Sequence, residues 1–378
     1  MRSWLLVSLL LLGGCETMST APQEDIDRLL SGEVLFGERI DAASPVPMLA
    51  LDDQMKQYVD SKTRGVRHAG LKLKQLLQGM VDDGLLTLEY DPNLTHSARE
   101  TFYSRQGNCM SFSVLFLALA REAGLDARFQ IVDVPPNFSS EGELVLLNEH
   151  INVVVQDIRH DGMYTRDHVV DFNTAEYSGN YDMKRVSDDY MQALFHSNQA
   201  VEHLYLGDER AAFAQLKTAL GYEESIAGLW VNLGVLYARK GFDDDAITAY
   251  KQALWYKSSN RSALVNLALA YERVGLTEQA KIYRGRVDYY RTLNPYYHYY
   301  LARDAYSLAD YQSALTHIAN AIKRKNNEHQ FYRVRGLAEY ALGDRKAAQA
   351  SLETAESLAG REDIAAQYSS KLEAIKDG

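Results

Sequence analysis

One cysteine in this chain stands where a thiol can do chemistry. Tyr103-Ser104-Arg105-Gln106-Gly107-Asn108-Cys109 reads as a tight turn that delivers Cys109 to the first turn of a helix, and the apolar run from Met110 to Ala123 follows at once. A thiol attacks as the thiolate. A helix N-terminus favours that anion through its dipole and unpaired N–H groups, and a neighbouring imidazolium favours it further. His150 offers the imidazole, because it opens the β run Ile151-Asn152-Val153-Val154-Val155. A third group must fix the tautomer and orientation of the ring. Asp171 stands in Val169-Val170-Asp171-Phe172, and an acid on an apolar strand is costly without a partner. The turn signal Asp161-Gly162 suits a hairpin that sets His150 beside Asp171, 21 residues apart in sequence. Asp167 is the alternative orienting acid. The Cys109 backbone N–H is the natural oxyanion donor, with Gln106 and Tyr103 as candidates for a second.

The surrounding elements follow from periodicity. From Met48 to Leu86 apolar residues recur at helical spacing, Asp91-Pro92-Asn93 marks a turn, and a short helix is expected through Ser97 to Tyr103. The helix after Cys109 is apolar nearly all round, hence buried on all sides, and Gly124 fits its left-handed C′ position. Alternation then predicts strands at Arg128 to Val132, Ile151 to Val155 and His168 to Phe172. The unit is helical first, with an antiparallel sheet afterwards.

Cys on a helix, His on a strand and Asp on the next strand, with Arg105-Gln106-Gly107-Asn108-Cys109 as the first motif, resembles the transglutaminase-like superfamily over about residues 50–185. The resemblance implies a papain-like α+β fold and Cys109, His150 and Asp171 as a catalytic triad. It implies acyl transfer: a thioester formed at an amide, then released to water or an amine. The chain departs from the family at Asn152, where an aromatic residue often follows the histidine by two.

The second half of the chain repeats. Small residues recur every 34 positions at Gly207, Gly241, Gly275, Ala309 and Gly343. Three further columns keep the period: Ala212, Ala246, Ala280, Ala314 and Ala348; Ala200, Gly234, Ala268, Ala302 and Gly336; and Ala219, Ala253, Val287, Ala321 and Ala355. The period and columns resemble tetratricopeptide repeats, an all-α solenoid in which small side chains stand where two helices cross closely. By register Tyr296, Tyr299, Arg303 and Tyr306 line a concave groove, with Arg239, Arg273, Arg333 and Tyr340 from neighbouring copies, and Tyr297 and Tyr300 go to the core. Aromatics with arginines suit a protein or peptide partner. The competing reading packs most of these tyrosines repeat on repeat.

The N-terminus reads as a processing signal. Arg2 precedes an apolar stretch from Trp4 to Leu12 that is too short to span a bilayer, and Leu12-Gly13-Gly14-Cys15 resembles a bacterial lipobox. That resemblance implies lipidation of Cys15, and Glu16 after it implies the outer membrane. Cys109 is then the one free thiol in an oxidising compartment. A net charge of -11 argues against nucleic acid. No zinc-ligand spacing and no Gly-rich phosphate loop call for a metal or cofactor. The expected organisation is a signal peptide (1–14), a tether (15–47) with one short helix near Glu24 to Leu30, a transglutaminase-like domain (48–187), five repeats (188–360) and a capping helix (361–378).

Overall fold

A computed structural model describes residues 20–85, 89–132, 150–158, 165–172, 182–360 and 362–377. Cys15 and the Asp161-Gly162 turn lie outside them. The chain opens with α1 (Gln23–Ser31) and α2 (Glu33–Phe36). It continues with α3 (Asp53–Thr63), α4 (Ala69–Asp82), β1 (Glu89–Tyr90), α5 (Ala98–Ser104), β2 (Gln106–Gly107) and α6 (Cys109–Glu122). Ser97 and Glu100 form a capping box at the start of α5, and Gly124 follows α6 with φ 75°. Strands β3 (Asp126–Val132), β4 (His150–Ile158), β5 (Thr165–Val170) and β6 (Met183–Arg185) form an antiparallel sheet in the order β5-β4-β3-β6. Helix α6 is buried from Met110 to Ala120, and Ile151, Val153 and Val155 of β4 join the same core. The α+β reading is therefore observed.

The repeats are helix pairs. First helices α7 (Asp188–Tyr205), α9 (Ala227–Arg239), α11 (Arg261–Arg273), α13 (Pro295–Ser307) and α15 (His329–Ala341) alternate with second helices. The second helices are α8 (Glu209–Tyr222), α10 (Asp243–Tyr256), α12 (Thr277–Leu293), α14 (Tyr311–Arg324) and α16 (Arg345–Leu358), and α17 (Glu362–Asp377) closes the stack. The starts of α9, α11, α13 and α15 are 34 residues apart. Close helix crossing explains only some of the small-residue columns. A Cβ on Gly234 would lie 2.5 Å from the Tyr250 ring, so that column does mark close approach. The Gly207 column has another cause. Its glycines turn the chain with φ of 77–88°, and a Cβ on them would meet no atom of the described residues within 4 Å.

The segment expected to be a tether is folded where it is described. Ile26, Leu29, Leu35 and Ile40 are buried in the main core. The Tyr237 hydroxyl donates to Leu29 O at 2.6 Å, Arg28 pairs with Asp245 at 2.7 Å, and Lys217 Nζ donates to Ile40 O at 2.7 Å. Residues 20–47 thus lie against the first two repeats. Their polar and proline-bearing composition hides an apolar stripe that needs cover.

Candidate functional site

The turn before Cys109 is built by three local constraints. Arg105 closes α5 in the left-handed region with φ 56°. Gly107 has φ 148°, and a Cβ there would lie 2.6 Å from Ser111 Cβ, so only glycine fits. Asn108 caps α6: its Oδ1 accepts from the Ser111 N–H at 3.0 Å, and its own N–H donates to Leu94 O at 3.0 Å. Cys109 then occupies the first helical position, half-buried. Its pKa lies above the ordinary thiol value. Burial pushes it up, the Met110 N–H pulls it back, the Asp171 charge adds to the rise, and the Cys109 N–H opposes it. The helix end acts as the sequence suggested, but burial outweighs it, so the resting sulfur is a thiol.

His150 is the first residue of β4, opposite Val132, and is buried. Its Nε2 meets Asp171 Oδ2 at 2.5 Å. The β4–β5 register explains the meeting. Val153 pairs with Val170, so one further step sets Asp171 across from Asn152, on the face that Asn152 shares with His150. Asp167, the alternative acid, instead lies opposite Gln156 and takes hydrogen bonds from Gln156 Nε2 (3.2 Å) and Arg185 (2.5 Å). Phe172, next to Asp171, packs on Phe112 and Phe116 of α6 at 6.5 and 5.7 Å between ring centres. The Ser113 hydroxyl donates to Ile151 O at 3.4 Å. The start of α6, the start of β4 and the end of β5 therefore converge, and Asp171 is close enough to act on the thiol electrostatically.

Of the two further oxyanion candidates, Gln106 lines a cleft of about 190 Å³ with Tyr90, Asp91, Pro92 and Leu94. Tyr103 is engaged elsewhere. Its hydroxyl bonds Asp52 Oδ2 at 2.8 Å and Gln54 Oε1 at 3.2 Å, at the N-terminus of α3. Sequence reasoning missed Tyr90. Burial and then the charge of Cys109 push its hydroxyl pKa up, so it lies within electrostatic reach of the sulfur. The pairing Tyr90↔Gly107 puts it there, and a strand of two residues leaves no periodic signal. Asn152 is buried at 2% exposure, and among the described residues its Oδ1 has no hydrogen-bond partner. Among the described residues no cluster of three or more His, Cys, Asp or Glu side chains could hold a metal ion.

The groove residues are divided. Tyr296 and Tyr299 are core, not groove: both are under 8% exposed and pack on Phe331 with ring centres 5.3 Å apart. Tyr297 and Tyr300, expected inside, are only half-buried. The first helix of a repeat is covered by its neighbours on most sides, which moved the buried stripe by one residue. Arg303 is exposed over the Tyr299 ring at 5.7 Å, Tyr306 meets Tyr311 at 5.4 Å, Arg333 is half-buried and Tyr340 is exposed. Arg239 and Arg273 flank a cleft of about 90 Å³ between α9 and α11.

The structure thus sets a thiol at a helix N-terminus within electrostatic reach of a His–Asp contact between the start of β4 and the end of β5. Residues 56–163 match the transglutaminase-like superfamily, so the chain carries a transglutaminase-like domain, followed by the helix-pair array. No curated protein matches the chain. Among solved structures it is similar to YrrB, described as a TPR protein with an unusual peptide-binding site, at 16% identity and TM-score 0.25, covering 47% of this chain and 92% of that one. It is also similar to MamA from Desulfovibrio magneticus RS-1, at 16% identity and TM-score 0.26, covering 46% and 96%. BtubC from P. vanneervenii stands at 20% identity and TM-score 0.26, covering 45% and 80%. The tetratricopeptide assignment here rests on the 34-residue helix pairs themselves.

Proposed function

We propose that this protein is a cysteine acyl hydrolase or acyltransferase acting on an amide bond of a protein or peptide, which its repeats recruit. The observation that carries the reading is the His150–Asp171 contact of 2.5 Å beside the helix-borne Cys109. Because the resting sulfur is a thiol, attack needs a general base. As Cys109 Sγ bonds to the amide carbonyl carbon, its proton passes to the His150 ring, at the nitrogen that does not face Asp171. The C–N bond then breaks, and the amine leaves with that proton. Water or an amine, deprotonated by His150, attacks the thioester carbon; the C–S bond breaks, the acid or new amide leaves, and the proton passes from His150 back to sulfur to restore the thiol. Asp171 holds the ring and stabilises the imidazolium. The Cys109 N–H, with Gln106 or Tyr90, supports the oxyanion.

The Leu12-Gly13-Gly14-Cys15 motif supports anchoring by lipid at Cys15, and Glu16 supports the periplasmic face of an outer membrane. The arginine-flanked cleft between α9 and α11 supports a peptide partner. Cys109→Ala is expected to abolish amide turnover, and turnover unchanged in that variant would sink the enzyme reading. One observation favours a second reading, an inactive unit in an envelope scaffold: burial raises the thiol pKa. That reading expects slow alkylation of Cys109 by iodoacetamide in the native state.

A further inference from the structure

The first repeat does more than follow the catalytic unit. Its helix α7 reaches the turn that presents Cys109. Glu202 Oε1 accepts from the Thr95 N–H at 2.7 Å, and the Thr95 hydroxyl also bonds the Glu202 carboxylate. The same hydroxyl accepts from Asn108 Nδ2 at 2.8 Å. Asn108 in turn caps α6 through Ser111, and Leu94, next to Thr95, accepts from the Asn108 N–H at 3.0 Å. One turn earlier on α7, Asn198 Nδ2 lies 3.8 Å from Met110 Sδ. A continuous chain of bonds therefore runs from a carboxylate of the repeats, through a buried threonine, to the cap of the thiol helix.

We propose that Glu202 is a positioning residue, by which the first repeat holds the Asn108 cap and hence Cys109 in its presented geometry. A surface threonine and asparagine would satisfy themselves with water. Thr95 and Asn108 are 3% and 6% exposed, so the chain must meet its needs internally. The carboxylate carries charge only at some cost. Burial raises its pKa to about 7, the two bonds from Thr95 oppose the rise, and Asp91 and Glu100 add to it. His96 is a basic group that acts on Glu100 of this cluster. Around neutrality Glu202 changes charge, and with it the strength of its hold on Thr95.

This rests on Cys109 being the working thiol, so the test reads the thiol and the cap and not turnover. In the full chain, Cys109 alkylation by iodoacetamide is followed against pH by peptide mass, and hydrogen exchange is followed at Ser111. Glu202→Ala is expected to slow alkylation about tenfold at fixed pH, the size of one pKa unit of lost helix-end support, and to speed exchange at Ser111. Glu202→Gln keeps an acceptor for the Thr95 N–H and is expected to restore most of the rate while flattening the inflection near 7. Should Glu202→Ala fail to fold, Thr95→Val cuts the same chain with an isosteric side chain and is expected to speed exchange at Ser111. Wild-type alkylation and exchange in Glu202→Ala, or in Thr95→Val where that variant stands in, overturn the proposal. Absent amide turnover with these effects intact overturns only the enzyme reading.

Discussion

The five repeats are alike in pitch and unlike in attachment. The first three share one continuous hydrophobic core with the transglutaminase-like domain and residues 20–47, running from Ile26 through Phe116, Phe195 and Trp230 to Tyr283. The last two stand apart. Tyr296, Tyr299 and Phe331 form one small cluster, and Leu352, Tyr368 and Leu372 form another. The break falls where α12 runs 17 residues against 14 in every other second helix, and where Asn294 ends α12 and caps α13 at once. Repeats that bury nearest-neighbour faces normally stand or fall as a graded series. Here the first three are foundation for the thiol unit, and the last two are an appendage whose surface is not taken up by supporting it.

Truncating a buried ring in each core separates the two regions most directly. Phe195 and Phe331 are both fully buried, and Phe→Ala at such sites costs about 3–5 kcal/mol. Phe195→Ala is expected to lower the unfolding of α6 together with the first repeats, seen by calorimetry and by hydrogen exchange of the α6 amides. Phe331→Ala is expected to lower a separate transition and leave α6 protection as it was. A single transition that both variants lower equally would merge the two regions. Next in size is Leu29→Ala, at about 2–4 kcal/mol, lost from the first region. A segment that served only as a tether would lose nothing.

A pH effect separates the regions more gently. Glu202 titrates near 7 in the fold against an ordinary value of 4.5. Between those values the folded chain keeps a proton that the unfolded chain has lost. The contribution is therefore complete below about 4.5 and is lost as pH rises through about 7. Allowing for solvent at a half-buried site, about 1–2 kcal/mol should leave the first region over that window. Glu202→Gln should flatten this slope in chemical denaturation across pH, with the second region unmoved. A slope that persists in the variant assigns the effect to other groups.

What could be read in the sequence divides by the range of the cause. The Gly107-Asn108-Cys109 turn and the 34-residue period are local or periodic, and they were legible. So was the His150–Asp171 pairing, because strand alternation fixes it. Glu202 sits 93 residues beyond Cys109 on a repeat helix, where nothing marks it as part of the thiol turn. In residues 20–47 the short helix near Glu24 to Leu30 was legible as α1, and the docking of the segment was missed for a different reason. Ile26, Leu29, Leu35 and Ile40 were visible, but their partners lie in α8, α9 and α10. The exchange of Tyr296 and Tyr299 for Tyr297 and Tyr300 shows the limit of a periodic argument in a solenoid. A helix covered on three sides has no single apolar stripe to find.

The smallest effect tests whether the regions differ in refinement as well as attachment. At the turn after the first helix, the first, second, third and fifth repeats place glycine with positive φ, and the fourth places Ala309 at φ 60°. The glycines have open space where a Cβ would stand, so the choice there is conformational and not a matter of packing. An alanine held in the left-handed region costs about 0.5–1 kcal/mol against glycine, even after glycine's looser unfolded chain is counted. Ala309→Gly should therefore stabilise the second region by that amount, while Gly275→Ala should destabilise the first by about the same. Both are read as shifts of the two transitions in one melting experiment. If Ala309→Gly moves the first transition as far as the second, the fourth repeat is coupled to the foundation after all, through the Asn294 corner and not through a shared core.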